Sequence, residues 1–171
     1  MTHLASRGLR AAAMIASLAA APALAQQAPA DRDARGEYLA RIMDCGGCHT
    51  GGALAGQPDP RLHLAGSQIG FGIPEVGVVY PPNLTPDPET GLGAWSEADI
   101  VRAVRTGVRP DGRVLAPVMP WHSYAALNDA DARALARYLR NLPPVRNATP
   151  HIVGASETPT MPYLTVVVPG R

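Results

Sequence analysis

Two cysteines and a histidine lie within one pentapeptide, Cys45-Gly46-Gly47-Cys48-His49. At this C-x-x-C-H spacing the two thiols can add to the vinyl groups of a haem while the imidazole meets its iron. A redox-active dithiol, half of a zinc site and an ordinary disulfide are the competing interpretations. A redox-active dithiol usually occurs near a βαβ pattern, which this sequence lacks. A structural zinc site usually needs four ligands, whereas the chain has two cysteines. Covalent attachment of one haem c is therefore the interpretation that best accounts for the two cysteines and the histidine.

The ligand on the other face of such an iron decides what the protein does. A protein ligand favours electron transfer, whereas an open position suits a haem enzyme or a gas or redox sensor. The candidates are Met43, Met119, Met161, His63, His122 and His151. Met43 is in the helix that leads into the cysteine motif and cannot reach the far face. Met119 is favoured because prolines flank it in an extended segment, and His122 is its main rival.

The elements that must position these residues are mostly helical. Helical spacing or capping signals predict three helices: Asp31 to Asp44, Ser96 to Gly107, and Asn128 to the stop at Pro143-Pro144. The segment from Thr50 to Gly93 is rich in Gly and Pro, which predicts a long loop. A loop of this length is unusual in a single domain and would be explained if it wraps a haem.

The ends of the chain are distinct from this central part. Arg7 and Arg10 precede an apolar run that ends in Ala23-Leu24-Ala25, which predicts a signal peptide over residues 1–25, cleaved after Ala25. Residues 26–35 are interpreted as a linker and residues 147–171 as a Pro-rich extended tail with a β-prone run from Thr165 to Val168. No later segment is long and apolar enough to span a bilayer. We expect a periplasmic protein, soluble or peripheral to the inner membrane.

Charge and motifs exclude several classes of function. All 15 basic residues are arginines, and removing the two in the signal peptide leaves 13 against 14 acidic residues, a formal charge of −1. A near-neutral chain without a basic cluster argues against nucleic acid as a partner. Neither a phosphate-binding glycine loop nor a Gly-x-Ser-x-Gly motif is present.

Four further motifs accompany the cysteine pentapeptide: Tyr80-Pro81-Pro82-Asn83-Leu84-Thr85-Pro86-Asp87, Gly91-Leu92-Gly93-Ala94-Trp95-Ser96, Met119-Pro120-Trp121, and Tyr138-Leu139-Arg140-Asn141-Leu142-Pro143-Pro144-Val145. With them the chain resembles class I cytochrome c from about Gly36 to Val145. Within that class it is similar to the cytochromes of bacterial membrane-bound alcohol, gluconate and aldehyde dehydrogenases. Many such relatives carry three haem domains and an anchoring C-terminus, whereas this chain has one haem motif and no anchor.

The resemblance implies an all-α cytochrome c domain over residues 36–146, in which the first and last helices cross. It implies Cys45 and Cys48 as the haem attachment points, His49 and Met119 as iron ligands, and the Asn83 loop beside the haem. A dehydrogenase would donate electrons, and a cytochrome, an oxidase or a quinone-linked acceptor would receive them.

Further residues are expected to lie around this site. The carbonyl of Pro60 or of Pro81 is expected to accept the other ring N–H of His49, as proximal histidines usually require. Haem packing or propionate contacts are expected from Trp95, Trp121, Tyr80 and Arg113, although each of these types is more often core or surface.

Overall fold

The structure is a computed structural model that describes the backbone of residues 29–170 and the side chains of residues 34–170. The predicted signal peptide therefore lies outside the described residues. The described helices are α1 (Pro29–Ile42), α2 (Cys45–His49), α3 (Glu97–Thr106), α4 (Trp121–Tyr124) and α5 (Asp129–Asn141). The strands are β1 (Gly70–Ile73), β2 (Gly77–Val79), β3 (Val153–Gly154) and β4 (Tyr163–Leu164).

The capping signals of α3 and α5 act as the sequence predicts. The Ser96 hydroxyl accepts from the Asp99 N–H while the Asp99 carboxylate accepts from the Ser96 N–H, which completes a capping box. Gly107 ends α3 with a φ of 73°, a conformation that glycine adopts at little cost. Asn128 caps α5 by accepting from the Asp131 N–H. The second and third predicted helices are thus confirmed within a residue or two at their ends.

The first helix starts earlier than predicted. It begins at Pro29, so that part of the stretch interpreted as a linker, residues 26–35, is helical. Proline is well suited to the first helical position because its missing N–H would have no helical partner there.

Helices α1 and α5 cross at Gly36. A Cβ added to Gly36 would collide with the Ala134 carbonyl oxygen and with the Tyr138 Cβ, so the two backbones meet closely only because this residue is glycine. Beside the crossing, the Arg35 guanidinium donates two hydrogen bonds to the Asp131 carboxylate, at 2.8 and 3.0 Å. The crossing expected from the family resemblance is therefore present.

The core beneath this crossing is built from small and medium apolar side chains. Leu39 of α1 packs in one cluster with Leu135 and Leu139 of α5 and with Ile100 of α3. The buried cluster also includes Leu64 and Leu92, which come from the long Gly and Pro-rich segment. This segment therefore contributes to the core as well as to the surface.

The expected all-α fold describes the helical core but omits a small sheet. Its strand order is β3-β2-β1-β4, with β1 antiparallel to β2, β2 antiparallel to β3, and β1 parallel to β4. The first two strands form a hairpin inside the predicted loop, and the last two come from the predicted tail. Each strand spans at most four residues, too few for a periodic pattern to be recognised in the sequence.

Among residues 29–170, no helix combines the length and the apolar character needed to cross a membrane.

Candidate functional site

A sharp break in the chain presents the cysteine motif. Asp44 separates α1 from α2 with a φ of 54°, a left-handed conformation that is uncommon outside glycine. Its carboxylate folds back over Gly47, where any Cβ would collide with it. A side chain at Gly47 would therefore require the Asp44 carboxylate to move away.

The His49 ring is buried and held in one orientation. Its Nδ1 lies 2.8 Å from the Pro82 carbonyl oxygen. Since a carbonyl only accepts, Nδ1 carries the hydrogen and Nε2 retains its lone pair. Burial lowers the pKa of His49 from its usual value because the charged imidazolium is poorly solvated there. The ring is thus a neutral imidazole, which is the form that binds metals.

The expectation that Pro60 or Pro81 supplies this carbonyl is wrong. The Pro81 carbonyl accepts from the Ser67 N–H at 3.0 Å, and Pro60 lies exposed in a short 3₁₀ turn, Pro60–Leu62. Successive carbonyls of an extended segment point in different directions, so the second proline of the Pro81-Pro82 pair faces the histidine.

The two thiols are free, and neither is activated. Cys45 and Cys48 form no disulfide with each other. Burial raises the pKa of Cys45 to about 11, and it raises the pKa of Cys48 as well, with a smaller contribution from the Asp44 charge in each case. A dithiol oxidoreductase needs a thiol of lowered pKa, because the thiolate is the nucleophile. The electrostatics of this site therefore disfavour that alternative.

Met119 sits on a turn that follows α3. After α3 the chain forms a loop that an antiparallel β-bridge between Val108 and Val114 closes. Further along, the Met119 N–H donates to the Ala116 carbonyl at 2.9 Å. The Met119 side chain is partly exposed. The prediction of an extended segment between Pro117 and Pro120 is therefore wrong, because the chain turns here and the two prolines flank the turn.

The segment after Met119 is anchored at two points. The Trp121 indole packs on Gly107, where a Cβ would lie 2.6 to 2.8 Å from the ring atoms. The Tyr124 hydroxyl donates a 2.7 Å hydrogen bond to the Met43 carbonyl at the end of α1. Burial, with smaller effects from Cys45, Cys48 and Asp44, raises the pKa of Tyr124 to about 12. The segment that carries Met119 is therefore tied to the region of the cysteine motif.

The remaining predicted residues occupy different surroundings. Asn83 is 1% exposed and lies directly after Pro82. The Trp95 ring stacks under the Arg109 guanidinium, whose carbon lies 5.0 Å from the ring centre. Pro60 lines a surface cleft beside Gly46, away from the His49 ring contact with Pro82.

The chemistry of these donors fits a covalently attached haem. The site offers two unpaired thiols three residues apart and a neutral imidazole whose Nε2 is not used in the hydrogen bond to Pro82. In addition, the buried Trp121 Nε1–H has no hydrogen-bond partner within the described part of the chain. A buried donor without a partner costs free energy, so an acceptor such as a haem propionate would stabilise the protein by accepting a hydrogen bond there.

Sequence reasoning did not identify Pro82, Tyr124 or Asn147 as parts of this arrangement. Pro82 and Tyr124 contribute through contacts 33 and 81 positions apart in the chain, which no local pattern reports. The Asn147 amide donates to the Ala65 carbonyl across 82 positions. The one local signal was the pair Pro81-Pro82, in which either carbonyl could have accepted the hydrogen bond from His49.

Comparison with known proteins gives a consistent result. The family model for cytochrome c matches residues 33–143. The cytochrome c subunit of the quinone-dependent alcohol dehydrogenase of Gluconobacter oxydans is 42% identical over 121 residues, which cover 69% of this chain and 23% of that protein. The gluconate 2-dehydrogenase cytochrome c subunit of Pantoea cypripedii is 42% identical over 118 residues, covering 67% and 24%.

A third relative is named as a diheme cytochrome. The diheme c-type cytochrome of Cereibacter sphaeroides is 34% identical over 118 residues, which cover 68% of this chain and 38% of that protein. The chain spans about a quarter of the length of the two dehydrogenase subunits. The similarity to these relatives therefore covers only part of each of the longer proteins.

Proposed function

Because the chain belongs to the cytochrome c family, we propose that it holds one haem c and passes single electrons from a dehydrogenase to a respiratory acceptor. The observation that carries this proposal is the neutral His49 ring, oriented by Pro82, beside two free thiols. One C-x-x-C-H motif and two cysteines in the chain support a single haem.

The chain's own residues would divide the work as follows. Cys45 and Cys48 would hold the haem through two thioethers, each formed without net oxidation when the thiol adds across a vinyl double bond and its hydrogen passes to carbon. His49 would bind the iron through Nε2. The haem supplies an iron that alternates between the ferrous and ferric states. Burial and ligand identity would set its potential.

Met119 is proposed as the second iron ligand. Its turn is fixed by flanking prolines, and Tyr124 ties the following residues to the end of α1 beside the cysteine motif. The competing side chains have weaker support. His63, His151 and Met161 are exposed, and His122 is exposed with its ring against Trp121, the ring centres 3.5 Å apart. A thioether ligand raises the potential relative to a second imidazole, which suits electron transfer from a dehydrogenase.

The proposal extends to partners and location. The named relatives are cytochrome subunits of alcohol and gluconate dehydrogenases, so a dehydrogenase is the proposed donor. A cytochrome, an oxidase or a quinone-linked protein is the proposed acceptor. The signal-peptide pattern of residues 1–25 supports the periplasm as the place where this exchange occurs.

Visible spectroscopy of the purified protein tests this function. We expect a covalently bound haem and, in the ferric state, a weak band at about 695 nm, which indicates methionine ligation. Met119→Ala should abolish the band, lower the potential and open the iron to carbon monoxide. Met161→Ala, which removes an exposed methionine of the tail, is the matched control and should leave the band in place.

Two results would contradict the proposal. A wild-type protein that is high-spin and binds carbon monoxide readily would instead favour a haem enzyme or sensor with an open distal site. Absence of covalent haem would exclude both functions.

A further inference from the structure

The Pro82 carbonyl that meets His49 must be held in place by its neighbours, because proline has no N–H of its own. Two hydrogen bonds fix the backbone on either side of it. Ser67 N–H donates to the Pro81 carbonyl at 3.0 Å, and Leu84 N–H donates to the Leu64 carbonyl at 2.8 Å. Between these two bonds lies Asn83, whose side chain is directed into the protein.

The Asn83 amide uses its full hydrogen-bonding capacity. Its nitrogen donates to the Val145 carbonyl at 2.7 Å and to the Thr90 hydroxyl at 3.0 Å. Its oxygen accepts from the Thr85 N–H at 2.9 Å and from the Thr85 hydroxyl at 2.7 Å. Asn83 and Thr85 are each 1% exposed, so none of these bonds can be replaced cheaply by water.

The same network holds the chain that follows α5. Val145 N–H donates to the Thr85 hydroxyl at 3.1 Å, and Asn147 N–H donates to the Thr90 hydroxyl at 3.1 Å. The Asn147 amide donates to the Ala65 carbonyl at 2.8 Å. Next to Ala65, the Gly66 N–H donates to the His49 carbonyl at 2.7 Å. The network therefore joins three separate segments of the chain, and one of them, at Ala65 and Gly66, meets the His49 backbone.

We infer that Asn83 is a positioning residue for the iron ligand: through its buried amide network it holds the Pro82 carbonyl against the His49 Nδ1–H. This inference rests on the proposed function, because it concerns His49 as a haem ligand. A firm hydrogen bond from the distant ring nitrogen makes an imidazole a stronger ligand and stabilises the ferric state. Loosening the carbonyl should therefore weaken that bond and raise the reduction potential.

The test compares three variants of the mature haem protein. Asn83→Ala removes the amide, and Thr85→Val removes one of its hydroxyl partners at nearly constant volume. Asn128→Ala is the matched control, because it also deletes an asparagine side chain but at the exposed cap of α5. Nuclear magnetic resonance of the diamagnetic ferrous protein then follows hydrogen exchange of the His49 ring N–H, and voltammetry gives the potential.

We expect exchange of the His49 ring N–H to rise about tenfold or more in Asn83→Ala, and by less in Thr85→Val. The potential should become more positive in the same order. Asn128→Ala should lose stability while exchange and potential stay at their wild-type values. If Asn83→Ala does not mature with haem, Thr85→Val still decides the matter by the same two measurements.

Unchanged ring exchange and potential in the Asn83 or Thr85 variant that matures would overturn the inference and assign the network a structural role alone. The proposed function would survive that result, because wild-type haem content and His49 ligation are established independently in the same spectra. A wild-type protein without haem, or with a ligand other than His49, would overturn both.

Discussion

Tyr124 is the residue that links the Met119 segment to the helix leading into the cysteine motif. Its hydroxyl donates to the Met43 carbonyl, and with a pKa of about 12 it remains a donor throughout the neutral range. Tyr124→Phe removes this hydrogen bond, which stabilises the folded position of the Met119 segment by about 1 kcal/mol. We therefore expect exogenous imidazole to displace the proposed ligand Met119 from the ferric iron about fivefold more readily, as measured by spectral titration at neutral pH.

Tyr163→Phe is the control for this experiment, since Tyr163 is exposed in β4 and lies in the tail. It should bind imidazole with the affinity of the wild type. Equal affinities in the Tyr124 and Tyr163 variants would show that the hydrogen bond to Met43 does not restrain the Met119 segment.

Single residues were predictable where the chemistry is local. The spacing of Cys45, Cys48 and His49 was sufficient to predict haem attachment, and the structure adds a neutral imidazole and two free thiols that fit it. The partner of the histidine was not predictable. Its choice between Pro81 and Pro82 depends on which carbonyl Ser67 already occupies, and that is a tertiary contact.

At the scale of elements, the crossing of α1 and α5 depends on one glycine. A methyl group at Gly36 would strike the Ala134 carbonyl and the Tyr138 Cβ. Alanine gains about 1 kcal/mol in helix propensity over glycine. Overpacking in a close contact costs about 1–3 kcal/mol, and more where backbone is struck. After the gain in helix propensity is subtracted, we expect Gly36→Ala to lower the free energy of unfolding by about 1–2 kcal/mol in denaturant titrations.

Gly154→Ala is the comparison for Gly36→Ala. A Cβ at Gly154 meets only the Glu157 side chain, at 3.6 Å, which is ordinary contact. This variant should have nearly the stability of the wild type. A Gly36→Ala protein as stable as Gly154→Ala would mean that the two helices can separate slightly at no cost.

The helices α3 and α5 were predictable because their signals are local, whereas the short helices α2 and α4 were not predicted. Ser96 with Asp99, Gly107 and Asn128 each act within one turn of the helix end that they define. The sheet was not predictable, because β1 and β2 acquire their outer partners from residues 153–164. The Thr165 to Val168 run that attracted a β prediction lies just beyond β4, and Val166 is 88% exposed.

At the scale of the whole molecule, the chain after α5 has two parts with different roles. Val145 and Asn147 enter the buried network around Asn83. Beyond them, residues 153–164 add two short edge strands, and the Tyr80 hydroxyl reaches the Met161 carbonyl at 3.3 Å. The boundary between domain and tail was predicted between residues 146 and 147. Asn147 belongs to the network although it lies on the tail side of that boundary, so the boundary falls inside the network.

A pair of truncations separates these two roles. A chain that ends at Ala148 keeps Val145, Asn147 and the Ala148 carbonyl that accepts from the Gln68 amide at 3.0 Å. A chain that ends at Pro144 leaves the Asn83 amide without its Val145 acceptor and the Thr85 hydroxyl without its Val145 donor. Buried polar groups left without partners cost about 1–3 kcal/mol each.

We therefore expect the Ala148 form to unfold in denaturant within about 2 kcal/mol of the full chain, because it loses short edge strands and the bonds from Tyr80 to Met161 and from Gly70 to Pro162. The Pro144 form should be less stable than the Ala148 form by about 2–5 kcal/mol and should carry less covalent haem after purification. Unfolding curves of the ferric proteins followed by haem absorbance measure the difference. Coincident curves for the two truncations would mean that the four residues from Val145 to Ala148 do not stabilise the fold. Separated curves would show that these residues are part of the stable domain.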